Sequence, residues 1–388
     1  MRILLLSWRY IAAHKVKSII LFVCLTVMIF LPLATHVMVD HYERELMARA
    51  RSTPLILGAK GNRYDLVLKG LYFTAEHPDP ISMASVETVR ETGWAQVLPL
   101  HVAYTARGYP VVGTVLEYFE FRGLRPAEGT LPLRIGDAVL GAAVARTLRL
   151  APEDRIITDQ TSLYDLAAVY PLKMRVAGVL HATGTPDDHA VFVDVRTAWI
   201  IEGIGHGHLD LAKTDDASLI LETKGNAVVG SPAVTAYTEI MPSDIDAFHF
   251  HGDPAQFPVT AAVVLPKDKK SGTLLKGRFS ADPSQSLLVP VKVVDEIMRM
   301  VFRVRRFFDA AFIVVCAATG LFVLLVVLLS LRLRKREMET MFKIGCSRST
   351  ISLLLISELG IIACISIVVA GALLVSLLRF APDLVRLL

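Results

Sequence analysis

The 388 residues carry 41 Lys and Arg against 37 Asp and Glu, a formal charge of +4, with 53% hydrophobic residues and a mean hydropathy of +0.50. The apolar residues fall in a few blocks, which excludes an evenly mixed soluble chain and points to an integral membrane protein with one large soluble portion. The positive charge gathers on the flanks of those blocks, so it speaks for topology and against nucleic-acid binding.

In chain order, residues 1–17 interleave Ile3, Leu4, Leu6, Trp8, Ile11 and Ala12 with Arg2, Arg9, Tyr10, Lys15 and Lys17. That pattern suits an amphipathic helix lying along the cytoplasmic leaflet. Ile19 to Val39 holds no acid, Lys or Arg, and at ~1.5 Å per residue its roughly twenty residues cover a ~30 Å hydrocarbon core, giving a span over 18–40. A cleavable signal peptide is the alternative; the long amphipathic leader and the lack of a small-x-small cleavage site favour a retained anchor.

Residues 41–307 are expected to form the extracytoplasmic domain. His41 to Arg51 and Val291 to Phe308 keep helical character without a breaker and would extend the flanking spans as stalk helices. Between them, strands are expected at Leu55–Leu57, His101–Thr105, Tyr109–Val115, Ala138–Leu140, Met174–Leu180, Ala190–Val195, Ser218–Leu221 and Ala261–Leu265. Helices are expected at Ser82–Thr92, Ala142–Leu148, Val195–Glu202 and Ser231–Met241, and surface loops at Lys267–Gly272 and Ala281–Ser284. The mixture indicates an α+β domain of about 265 residues, large enough for its own core and for division into two lobes. Cys24, Cys316, Cys346 and Cys364 all lie outside it, so no disulfide can staple it.

Ala310 to Ser330 gives a second span, assigned to 308–331, and Ile351 to Leu378, interrupted by Glu358, gives a third over 350–379, followed by a tail, 380–388. Arg332, Arg334, Lys335, Arg336, Lys343 and Arg348 lie in the intervening 332–349 loop. With the basic N-terminal flank, they place that loop and the N-terminus in the cytoplasm. Arg303, Arg305 and Arg306 fall on the opposite side, a conflict the larger cluster outweighs.

Within the loop, Met338, Met341, Phe342 and Ile344 share one helical face, Glu337, Glu339 and Lys343 lie on others, and Gly345 suits a C-cap. A short helix offering Met and Phe is a docking element; the alternative is an amphipathic loop in the lipid headgroups. Glu358 is a costly residue in lipid and should face a helix bundle, a wet cavity or a basic partner. Outside, Gly205-His-Gly-His-Leu-Asp210 and His249-Phe-His251 carry His-x-His pairs, and Asp187-Asp-His189 adds acids and a further imidazole. On a strand, residues i and i+2 share a face, so His206, His208, Asp210, His249 and His251 are candidate ligands for zinc. Solvated loop histidines are the alternative reading. No Gly-x4-Gly-Lys-Ser/Thr phosphate loop occurs: Gly225 to Gly230 is followed by Ser231 without the lysine. ATP would have to be handled elsewhere.

Two patches resemble the MacB/FtsX-type (LolC-like) permease family of ATP-binding-cassette systems. One is Arg334 to Ile351, with a charged start, an apolar centre before Gly345 and a Cys-Ser-Arg ending. The other comprises Val115 to Gly129, Ala138 to Leu148 and Leu172 to Leu180, which look like the family's extracytoplasmic core domain. The resemblance implies an α-helical transmembrane bundle carrying a MacB-like α+β domain, in a bacterial inner membrane. It makes the chain a non-catalytic permease subunit whose coupling helix seats on a separate cytoplasmic ATPase that holds ATP and its magnesium. Motion would pass through the stalks to the outer domain, a second permease copy or paralogue would be required, and an adaptor, binding protein or lipoprotein could be engaged outside. The family usually has four spans, whereas three are expected here. Two other functions fit the same residues: an FtsX-like regulator of a cell-wall enzyme, and a zinc-linked binding or transport component.

Overall fold

The computed structural model describes residues 2–74, 78–132, 134–159, 171–207, 220–224, 227–230, 239–240, 245, 248–333 and 335–384. His208, Asp210 and most of the helix expected over Ser231–Met241 lie outside them. The chain divides into two units, Met1–Glu45 with Met298–Leu388, and Leu46–Ile297.

The elements run α1 (Arg2–Ala13), α2 (Lys15–Arg51), β1 (Leu55–Ala59), α3 (Arg63–Tyr72), β2 (Ile81–Ser82), α4 (Met83–Glu91), β3 (Ala95–Ala106), β4 (Tyr109–Thr114), α5 (Leu116–Arg122), β5 (Pro126–Gly129), β6 (Asp137–Leu140) and α6 (Ala142–Leu148). They continue with β7 (Arg155–Ile157), β8 (Lys173–Leu180), β9 (Val191–Asp194), α7 (Val195–Ile201), β10 (Gly205–Gly207), β11 (Ile220–Lys224), β12 (Ala227–Gly230) and β13 (Phe248–Phe250). The last are β14 (Pro258–Val259), β15 (Ala261–Pro266), α8 (Lys269–Ser280), β16 (Gln285–Leu288), α9 (Pro290–Leu333), α10 (Lys335–Lys343) and α11 (Arg348–Leu384).

In the Leu46–Ile297 unit, a ten-stranded sheet runs β16-β1-β15-β3-β4-β9-β6-β8-β5, with β7 on β8. The pairs β4–β9 and β6–β8 are parallel; the other pairings in this sheet are antiparallel. Strand β3 joins two halves. It starts earlier than His101 because Ala95 to Leu100 pairs with β15, while the stretch beyond the irregularity between His101 and Tyr104 pairs with β4. At that break the Val102 N–H donates to Thr260 Oγ1 at 2.9 Å, so the amide released from the ladder stays satisfied.

The two faces follow from strand alternation. Val191 and Val193 enter one cluster with Val111, Leu140, Val144 and Met174, while Phe192 between them enters another with Leu100, Tyr118, Phe119 and Val263. Strand β9 is therefore buried on both sides, as a central strand partly paired in parallel should be. A third cluster of Leu57, Val86, Val89, Val264, Leu275 and Phe279 covers the β1–β15 half. Each such side chain contributes roughly 1.5–3 kcal/mol by leaving water.

The surface loop expected over Lys267–Gly272 is instead the start of α8. The Asp268 carboxylate accepts the Ser271 N–H at 2.7 Å, an N-cap that converts the lysine-rich stretch into a first turn, and Leu275 and Phe279 then bury on the sheet. Helices α3 and α5 are additions to the expected elements; Asn62 caps α3 by accepting from the Tyr64 N–H at 3.0 Å.

The Met1–Glu45 and Met298–Leu388 unit is helical. Among the described residues, three helical stretches, Lys15–Arg51, Asp309–Leu329 and Ser349–Arg379, are long and apolar enough to cross a membrane. Helix α1 rests on α11 through Ser7, whose hydroxyl lies 2.6 Å from that of Ser357, and leaves Leu4, Leu5, Leu6 and Trp8 exposed. The Ser366 hydroxyl on α11 donates to Phe22 O of α2 at 3.3 Å, and His36 Nε2 on α2 lies 3.5 Å from Asp309 Oδ1 on α9. Small hydroxyl residues let such helices approach closely while spending their own polar atoms on helix backbone.

Candidate coupling site

Between two apolar helices, α10 is nine residues without a breaker, five of them charged, the others Met338, Thr340, Met341 and Phe342. Its end is built by the sequence Ile344-Gly345-Cys346. Gly345 has φ +99°, the Gly345 N–H donates to Phe342 O at 3.0 Å, and the Cys346 N–H donates to Met341 O at 3.0 Å. This is the paired 5→2 and 6→1 arrangement that closes a helix through a left-handed residue. Ser347 then starts α11, its Oγ accepting the Thr350 N–H at 3.2 Å. The glycine expected at the C-cap thus closes α10 before α11 begins.

Met338 and Met341 are half-buried, while Phe342 is 52% and Ile344 77% exposed. Lys343 and Glu339 are exposed as well. Apolar side chains held on a short, capped helix among charges can fill a hydrophobic groove while the surrounding charges set register. A Gly345→Ala substitution forces a Cβ into the left-handed region, so it should weaken this end by about 1–2 kcal/mol. Faster amide exchange at Gly345 and Cys346, with α11 unchanged, is the expected reading; unchanged exchange would refute the cap's role.

Glu358 has found a basic partner. Its side chain is 2% exposed and Oε1 accepts from Lys17 Nζ, itself 22% exposed, at 2.9 Å. Lys17 is also 5.7 Å from the Tyr10 ring centroid, within cation–π range. A carboxylate on α11 is thus paired with an ammonium in the first turn of α2.

The candidate metal residues fare unevenly. Asp187 and Asp188, read as further ligands, are buried and committed to protein partners. Asp187 Oδ1 accepts from Arg49 Nη2 at 2.8 Å, and Asp188 Oδ1 and Oδ2 accept the Thr183 and Gly184 N–H groups at 2.9 and 2.8 Å. They fold the turn before β9 instead of facing solvent. His206 falls in β10 opposite His249 in β13, and His251 follows. Among the described residues no three His, Cys, Asp or Glu side chains are gathered around one point.

A charged cluster with no signal in the sequence surrounds Arg49. Its guanidinium also donates to Tyr118 OH at 3.0 Å and to Leu71 O at 2.9 Å. Arg122 donates to Ser52 Oγ and Thr53 Oγ1 at 3.0 and 2.9 Å. Burial and the Asp187 charge push the Tyr118 phenol up; burial, with Arg49 nearby, pulls Arg122 down. Burial opposes the charge on Arg49, but Tyr118 and Asp187 outweigh it and raise its pKa. The partners lie 69 and 138 residues away, beyond any spacing rule.

No family model matches the chain, and no curated protein does. Several solved structures are similar to it. The periplasmic region of MacB from Actinobacillus actinomycetemcomitans matches at 11% identity and TM-score 0.36, covering 65% of this chain and 97% of that one. The extracellular domain of the noncanonic ABC-type transporter YknZ from Gram-positive bacteria matches at 9% identity and TM-score 0.33, covering 60% and 98%. A domain of a permease protein from Porphyromonas gingivalis matches at 10% identity and TM-score 0.27, covering 59% and 78%. Likenesses of this size are similarities of domain and carry nothing about activity.

Proposed function

We propose that this chain is the non-catalytic membrane subunit of an ABC-type system, with α10 as the element through which a separate cytoplasmic ATPase grips it. The observation that carries this reading is the capped α10, an exposed Phe342 and Ile344 presented between two apolar helices long enough to span a membrane. A headgroup-lying loop would need no glycine-closed end, whereas a lever must hold its shape under load. In this reading ATP and magnesium stay on the partner, a second permease chain completes the bundle, and α2 and α9 carry displacement outward. The outer domain would then act on an adaptor, binding protein or lipoprotein.

Co-purification tests it. The full chain is expressed in its own host, and the ATPase recovered with wild type is compared with that recovered with Met341→Asp/Phe342→Asp. Two carboxylates in a desolvated groove should lower ATPase recovery at least tenfold, about 1.4 kcal/mol or more. Equal recovery removes α10 from the interface.

A further inference from the structure

Helix α8 carries Lys269, Lys270, Lys276 and Arg278 and no acid, and Lys267 stands just ahead of it; all five cations are exposed. The inner face of the helix is fixed by the fold, since Ser271, Gly272, Leu275 and Phe279 are buried. Helical periodicity places Lys270, Thr273, Leu274 and Gly277 on one strip of the opposite side, at the i, i+3, i+4 and i+7 spacing that a partner reads along a helix. Lys269 and Lys276 line one flank of that strip and Arg278 the other.

This side runs against what the helix itself asks for. Lys269 and Lys270 occupy the first two positions after the Asp268 cap, where the helix dipole disfavours positive charge and favours Asp or Glu. Gly277 sits within the helix although a Cβ there would meet nothing within 4 Å among the described residues, so no close contact inside the chain calls for it. Leu274 is 42% exposed in the middle of the charges. The cations do not serve ion pairs either. Among the described residues none of the five takes part in one, whereas Arg63, Arg90, Arg155, Lys173, Arg175 and Arg196 of the same unit each do. Asp268 beside them already accepts the Ser271 N–H. Local preferences overridden without gain inside the chain mark a surface shaped for contact outside it.

We propose that the outer strip of α8 is the docking surface for an acidic segment of an extracytoplasmic protein. The flanking cations meet its carboxylates and steer its approach, the bare backbone at Gly277 lets the segment come close, and Leu274 takes an apolar side chain at the centre. A phosphate polymer would use the cations but neither Leu274 nor the gap at Gly277, so the observations favour a polypeptide. The inference deepens the permease reading, on which it rests for the side of the membrane where the partner is met. Its test involves no ATPase, so loss of the docking surface would leave the α10 result standing, and the converse holds too.

The test is fluorescence anisotropy of a labelled peptide of Glu, Leu and Ala, titrated with the full-length chain in detergent. Wild type should bind it, with affinity falling at least tenfold between about 50 and 300 mM salt. Lys269→Glu/Lys270→Glu should weaken binding at least tenfold while keeping or raising the thermal transition, because acids suit those positions. Gly277→Leu should lose about tenfold with no fall in the transition, leucine being the better helix former. Arg125→Glu/Arg146→Glu, the same change of charge at exposed positions off α8, should leave affinity within about twofold. Absence of binding by wild type overturns the surface. Equal affinity in the lysine variant overturns it as well, and so does an equal loss in the Arg125/Arg146 variant, which would reduce the effect to net charge. Inorganic polyphosphate binding more tightly than the peptide, with Gly277→Leu indifferent, would make the occupant a phosphate polymer and overturn the protein partner.

Discussion

Replacing Asp187 by alanine should destabilise the Leu46–Ile297 unit by about 3–5 kcal/mol, the range for breaking a buried ion pair from one side. Arg49 is 5% exposed, so its guanidinium cannot turn to water once the carboxylate is gone. Tyr118 OH and Leu71 O still accept from it, but neither carries the compensating charge. For a unit of this size the loss corresponds to a fall in Tm on the order of 10 °C, measurable by thermal unfolding of the full chain in detergent. The double variant Arg49→Met/Asp187→Leu should recover most of it, because an apolar pair of similar volume has no desolvation cost to offset. A single-variant loss below about 1 kcal/mol would show that the pair does not hold the turn before β9 against the end of α2.

Lys17→Ala should be the second large change, at about 3 kcal/mol, and more damaging than Glu358→Gln. The asymmetry comes from exposure. Glu358 is 2% exposed and Lys17 22%, so removing the cation deprives a sealed carboxylate of its counter-charge. Removing the carboxylate leaves an ammonium that can extend toward water along its own stem. The readout is the Tm of each variant in detergent, together with the recovery of full-length protein from membranes. If Glu358→Gln proves the worse of the two, the pair is not what fastens α2 to α11.

Much of this molecule is written in local pattern. The apolar blocks and the basic flanks mark the long helices because hydropathy over about twenty residues is a property of consecutive residues. Gly345 announces the end of α10 because only glycine enters the left-handed region without a steric penalty. Strands such as Tyr109–Thr114 and Lys173–Leu180 are visible through their β-branched residues and flanking turns. Where a polar cap competes with a charged stretch, as at Asp268, pattern misleads: one side-chain hydrogen bond to Ser271 turns an expected loop into α8.

The sequence by itself determined that Glu358 needed a companion and that the 335–345 stretch would be a short closed helix. Tertiary structure alone decided that the companion is Lys17, 341 residues away, and that Asp187 is spent on Arg49 and not free for a metal. It alone brought His206 opposite His249. The reason is physical: periodicity and caps act over one or two turns. Charge pairing and strand register are instead chosen among many distant partners, by which contacts let buried polar groups be satisfied together.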